Sequence, residues 1–136
     1  MAGVSVHSLL EPEAGLALTV VAGQKGLSRK IGGTRIQKPG LALTGFLQHV
    51  HPERLQVLGL TEVAYLRSLD EAGRARASQA LGGLRPCAVV VTRGLEIPPE
   101  LSMALDGASV PLLSTPLMSS VFISRVSKLL EFKLAP

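Results

Sequence analysis

A chain of 136 residues has room for one domain of ordinary size, and it buries enough surface to fold without a disulfide or metal staple. Its composition, 46% hydrophobic and 18% charged, excludes a disordered chain, and no apolar run reaches the length of a membrane helix. The net charge of +4 comes from 14 basic and 10 acidic residues scattered along the sequence. With three Phe and one Tyr to interleave among them, they do not make a nucleic-acid surface.

The opening "MAGVSVHSLLEPEAG" has no basic start and meets Glu11 and Glu13 early. That is unlike a secretory signal, so a cytoplasmic protein with no membrane partner is expected. "LALTVVAG" (16–23) is short, apolar and closed by glycine, and predicts a first strand. "RKIGGTRIQ" is a weaker strand broken by Gly32 and Gly33. Leu43, Phe46, Leu47 and Val50 repeat at i, i+3, i+4, i+7 and predict a helix that closes near His49. "LQVLGL" (55–60) is a second clear strand. Val63, Leu66 and the stretch 70–81 predict one or two helices, with Asp70 as a cap.

"CAVVVTR" (87–93) places three β-branched residues in succession, which suits a strand covered on both faces. Cys87, the single cysteine, has no partner and is expected to be a small buried apolar residue. "IPPELSMALDGA" predicts a short helix opened by prolines and stopped at Gly107. "VPLLST" (110–115) is a strand, and the last helix is expected to start with Thr115 as cap and Pro116 in the first turn. Met118, Phe122, Val126 and Leu129 would line its buried face, with Ser120, Ser124, Ser127 and Glu131 turned away. Strands alternating with helices at this spacing imply an α/β, three-layer sandwich: a mostly parallel sheet of about four to five strands flanked by helices.

His49 and His51 are spaced wrongly for a shared helical face, and Pro52 forces an extended turn, so no metal site is expected. No G-x-x-x-x-G-K-[ST], G-x-G-x-x-G or G-x-S-x-G is present, so no catalytic residue is assigned. Binding candidates come from the rule that open α/β sheets hold ligands at the carboxyl ends of their strands. Arg93 follows the central strand, and Lys38 and Thr115 follow others on the same edge. The competing expectation for Arg93 is a solvated side chain or a pair with Glu96.

"PGLALTGF", "HPERLQVLGLTE", "VVTRGLEIPPEL" and "VPLLSTPLMSSVFISRVSKLLEFKLAP" occur in this order. Together they resemble the N-terminal domain of the HPr kinase/phosphorylase family, over residues 9–136. The resemblance implies one N-terminal-type domain over 1–136, without the catalytic P-loop domain. It also implies that the family's catalytic histidine, ATP and Mg²⁺ sites and HPr-binding signature belong beyond Pro136, so this chain needs no cofactor. The implied role is a non-catalytic regulatory or scaffolding domain of a bifunctional HPr serine kinase/phosphorylase in carbon catabolite control.

Implied partners are the catalytic domain of the same protein and, through it, the HPr phosphocarrier. Family enzymes are hexamers, so a homo-oligomer is a further expectation. The family's first domain resembles in fold the UDP-binding N-terminal domain of muramyl ligases. Two alternatives therefore stand: a free-standing sensor of a nucleotide or sugar phosphate at Arg93, and a self-association module.

Overall fold

The computed structural model describes residues 4–135; residues 1–3 and 136, the ends of the quoted opening and closing segments, lie outside it. β1 (Val4–Ser5) leads into two 3-10 turns, Val6–Leu10 and Pro12–Ala14, before β2 (Thr19–Ala22). A third such turn, Gln24–Gly26, precedes β3 (Lys30–Ile31) and β4 (Ile36–Gln37). Gly32 and Gly33 thus divide the weak strand expected there into two pieces with different partners. β3 pairs antiparallel with β1 in a small ribbon, while β4 joins the main sheet.

α1 (Gly40–Leu43) and β5 (Leu55–Leu58) follow, then α2 (Leu60–Ser68), α3 (Glu71–Gly83) and β6 (Ala88–Val91). Asp70 caps α3 as its sequence predicts: its carboxylate accepts the Gly73 N–H at 2.8 Å. α4 (Pro99–Gly107), β7 (Leu112–Ser114) and α5 (Ser119–Leu134) complete the chain. The main sheet has the order β2-β7-β6-β5-β4. β4, β5, β6 and β7 run parallel, and β2 lies antiparallel on the edge beside β7.

Side-chain alternation along the strands feeds two cores. Leu55, Val57, Ala88, Val90 and Leu113 face one side, where Phe122, Val126 and Leu130 of α5 cover them with Val4, Val6, Leu9 and Ile31. Leu58, Val89, Val91 and Leu112 face the other, under Val63 and Leu66 of α2, Leu81 of α3 and Leu101 and Leu105 of α4. β6 is buried along its whole length, as its run of valines requires. Cys87 is buried at its start, and burial pushes the thiol up to about 11.

Two local expectations are corrected. The helix expected over 43–50 is a single turn that ends at Leu43. Thr44 bends its hydroxyl and N–H back to Leu41 O, and Gly45 takes φ +105. Phe46 is left 42% exposed, and Gln37 pins the following loop by donating to His49 O and accepting His51 N–H at 2.8 Å. His49 therefore sits in a turn rather than at a helix end.

The last helix starts at Ser119, not after Thr115. Arg93 N–H donates to Leu117 O at 2.8 Å and Gly94 N–H to Thr115 O at 2.9 Å, which holds residues 115–117 against the sheet instead of in a helical turn. Its buried stripe is Phe122, Val126 and Leu130, while Met118 is 51% exposed and Leu129 only partly covered.

Candidate functional site

Four parallel strands deliver their carboxyl ends to one edge of the sheet. After β4 comes Lys38, after β5 Gly59, after β6 Thr92 and Arg93, and after β7 Thr115. The edge thus holds all three candidates named from sequence, but their functional groups do not converge. Thr115 is fully buried; its hydroxyl donates to Leu16 O at 2.8 Å and accepts Leu117 N–H at 3.2 Å. It ties the edge together and offers nothing to solvent.

Lys38 instead joins a cluster whose other members sequence reasoning missed. Its Nζ lies 3.1 Å from Glu62 Oε1, which also accepts the Gly59 N–H at 2.8 Å. Glu62 is only 6% exposed. This is half of a capping box: the third residue of α2 reaches back to the residue before the helix, and Gly59 has no side chain to return the bond. A Cβ on Gly59 would stand 2.6 Å from Ser119 Oγ and 2.8 Å from Lys38 Nζ, so glycine leaves the space in which those two groups approach. Ser119 Oγ in turn lies 2.6 Å from the buried Thr92 hydroxyl. The legible signal was the spacing Gly59-x-x-Glu62 directly after an apolar strand.

This network links the starts of α2 and α5 to the ends of β4, β5 and β6. Removing its buried acid should be felt: Glu62→Ala is expected to cost about 1.5–3 kcal/mol, because a bond to a charged acceptor is lost and the Gly59 N–H is orphaned. The Lys38 pair, half in solvent, adds little. A urea midpoint unchanged in Glu62→Ala would show the cap to be idle.

Arg93 stands apart. Its backbone takes φ +63, followed by Gly94 at φ +60, and its side chain is exposed with no ion pair or hydrogen bond among the described residues. Glu96, its expected partner, pairs with Arg67 at 3.3 Å instead. Beside it Arg74 meets Glu100 at 3.0 Å, and that guanidinium holds the Glu100 carboxyl below its usual range. These two arginines line a cleft with Ile97, Pro98 and Pro99, but both are already committed to carboxylates. No group of three or more metal-ligating side chains forms among the described residues, and none of their helices is long and apolar enough to cross a membrane.

Residues 4–130 match the family described as HPr Serine kinase N terminus. HPr kinase/phosphorylase of Geobacter sulfurreducens is 43% identical over 134 residues, covering 98% of this chain and 42% of that protein. HPr kinase/phosphorylase of Shouchella clausii is 34% identical over 136 residues, covering 100% of this chain and 43% of the relative. The chain thus spans about two fifths of the length of these relatives.

Among solved structures, the CBS and DRTGG domains of the regulatory region of Clostridium perfringens pyrophosphatase, complexed with the activator diadenosine tetraphosphate, match 96% of this chain and 51% of theirs. The TM-score is 0.53 at 14% identity, a likeness of fold alone. On the family match and the identity of these relatives, the chain belongs to the HPr serine kinase family and corresponds to its N-terminal domain.

Proposed function

We propose that this chain is a non-catalytic regulatory or scaffolding domain of a bifunctional HPr serine kinase/phosphorylase, acting in carbon catabolite control in the cytoplasm. The observation that carries the reading is one of coverage: the match takes in nearly all of this chain and about two fifths of each relative. ATP, Mg²⁺ and the HPr phosphocarrier would then be handled by the remainder of such a protein. The chemistry at the sheet edge supports this. Glu62 spends one oxygen on Lys38 and Gly59, and Thr92 and Thr115 spend their hydroxyls on neighbouring groups. Carboxylates and hydroxyls committed in this way hold strands and helices together; they are not poised as acid, base or nucleophile.

Calorimetric titration of the 136-residue chain with ATP and Mg²⁺ tests the proposal. The expected result is no saturable heat and no transfer of phosphate to HPr. Micromolar ATP binding by this chain would reject the reading.

A further inference from the structure

The basic residues are scattered in sequence, but folding gathers six of the fourteen at one end of the sheet, where β4, β5, β6 and β7 begin. Arg35 immediately precedes β4, Arg54 precedes β5, and Arg85 stands three residues before β6. Gly26, beside Lys25, packs just ahead of β7, so close that an added Cβ would stand 2.1 Å from Ser109 O. Arg29 reaches across to donate to Arg85 O. Gly32 N–H donates to Glu53 O at 2.9 Å, which brings β3 and Lys30 against the start of β5.

Lys25, Lys30, Arg35 and Arg85 are exposed, Arg29 and Arg54 are half-buried, and none of the six has an ion pair among the described residues. Two carboxylates accompany them. Asp106 accepts the Gly23 N–H at 2.9 Å, and Glu53 leans toward His51 at 3.8 Å. The other eight basic and eight acidic residues balance, so this rim accounts for the net charge of +4.

The needs of the fold explain only part of the rim. α3 and α4 end here, and their dipoles favour cations such as Arg85 and Lys25. Lys30, Arg35 and Arg54 adjoin no helix end in sequence. Arg35 and Arg54 even stand side by side, because the next residues, Ile36 and Leu55, are register partners on parallel strands about 4.8 Å apart. Like charges so placed repel, a cost that an anion lying between them removes.

We propose that this rim docks an acidic segment of a partner protein, its carboxylates lying across the starts of β4 to β7. Four of the six cations are arginines, whose planar fork takes a carboxylate bidentately. Four strands abreast span about 15 Å, so a run of about four or five acidic residues in extended form covers the row. No aromatic residue lies within 24–37, 52–55 or 84–88, the segments that form the rim, which gives a nucleic-acid base nothing to stack on. The exposed residues of these segments are polar, glycine or proline, so none inserts into a bilayer. The docking does not depend on the chain's role in the kinase family.

Fluorescence anisotropy of labelled oligoglutamate tests this, with oligoglutamine as the blank. The parent chain should bind the acidic peptide, less tightly as salt screens the contact. Arg35→Glu with Arg54→Glu turns two attractions into repulsions and should weaken binding about tenfold or more. Arg76→Glu with Lys128→Glu, exposed on α3 and α5, changes the net charge equally and should weaken it by about twofold at most. A parent chain that does not bind, or equal losses in the two double variants, overturns the proposal. So does a single-stranded oligonucleotide or an anionic phospholipid vesicle that binds the parent more tightly than oligoglutamate. If the rim reversal abolishes the cooperative melt, Arg35→Gln with Arg54→Gln decides: an affinity equal to the parent's overturns the proposal, and a loss that Arg76→Gln with Lys128→Gln does not share supports it.

Discussion

Val90→Asp is expected to leave no cooperatively folded protein. Val90 is fully buried in the middle of the central strand, in register with Val57 on β5 and Leu113 on β7, and the core beneath α5 closes over it. No basic group belongs to that cluster, so the carboxylate would stand unpaired or be forced to take up a proton. Either course costs several kcal/mol, against a total stability of about 5–15 kcal/mol for a domain of this kind. Circular dichroism on heating should show no sigmoidal transition. A soluble variant with a sharp melt near the parent's would mean that β6 is not central.

Gly23→Ala is expected to be the second most damaging change, and its cause lies wholly in the backbone. An added Cβ would sit 1.9 Å from Val110 O, 2.4 Å from Val110 C and 2.9 Å from Pro111 Cα, so no side chain can rotate away to make room. The residue also takes φ +72, which any Cβ resists. Left-handed strain and the forced shift of the Val110–Pro111 segment leading into β7 together should cost roughly 2–5 kcal/mol. Gly15→Ala is the matched control: φ is +68, but nothing lies within 4 Å of the added atom, so the loss should be only about 1 kcal/mol. Urea midpoints measure both, and equal losses in the two variants would show that the close approach at Val110 does not matter.

Much of the fold was legible because its signals are local and redundant. Four of the five main strands are short apolar runs bounded by turn residues, and α3 and α4 carry their own cap or opening proline. The element misjudged outright, the helix over 43–50, has the right apolar spacing, but Gly45 and the hydroxyl of Thr44 close the turn before Phe46 can face the core. Periodicity describes one helical face and is blind to hydrogen bonds that end the helix.

The edge holding Lys38, Arg93 and Thr115 could be placed from strand order alone. What their side chains do there could not. Thr115 turns to Leu16, ninety-nine residues away in sequence, and Lys38 turns to Glu62, whose spacing from Gly59 marks a helix cap but not a partner for Lys38. Such pairings arise from tertiary packing and leave no trace in a short window.

The sheet order also dictates when the chain can finish folding. β2, the first strand of the sheet in sequence, pairs only with β7, the last. Gly23 N–H to Asp106, the Thr115 hydroxyl to Leu16 O, and Arg125 to Gly15 O all close the same seam across 83 to 110 residues. Contacts so distant pay the largest loop-closure entropy and form late. As the chain leaves the ribosome, β4, β5 and β6 can assemble in turn, while residues 16–23 must wait unpaired until residues 112–114 have emerged. The slowest step of maturation is thus expected at the β2–β7 seam, and the waiting segment is the uncharged stretch most in need of protection by a chaperone.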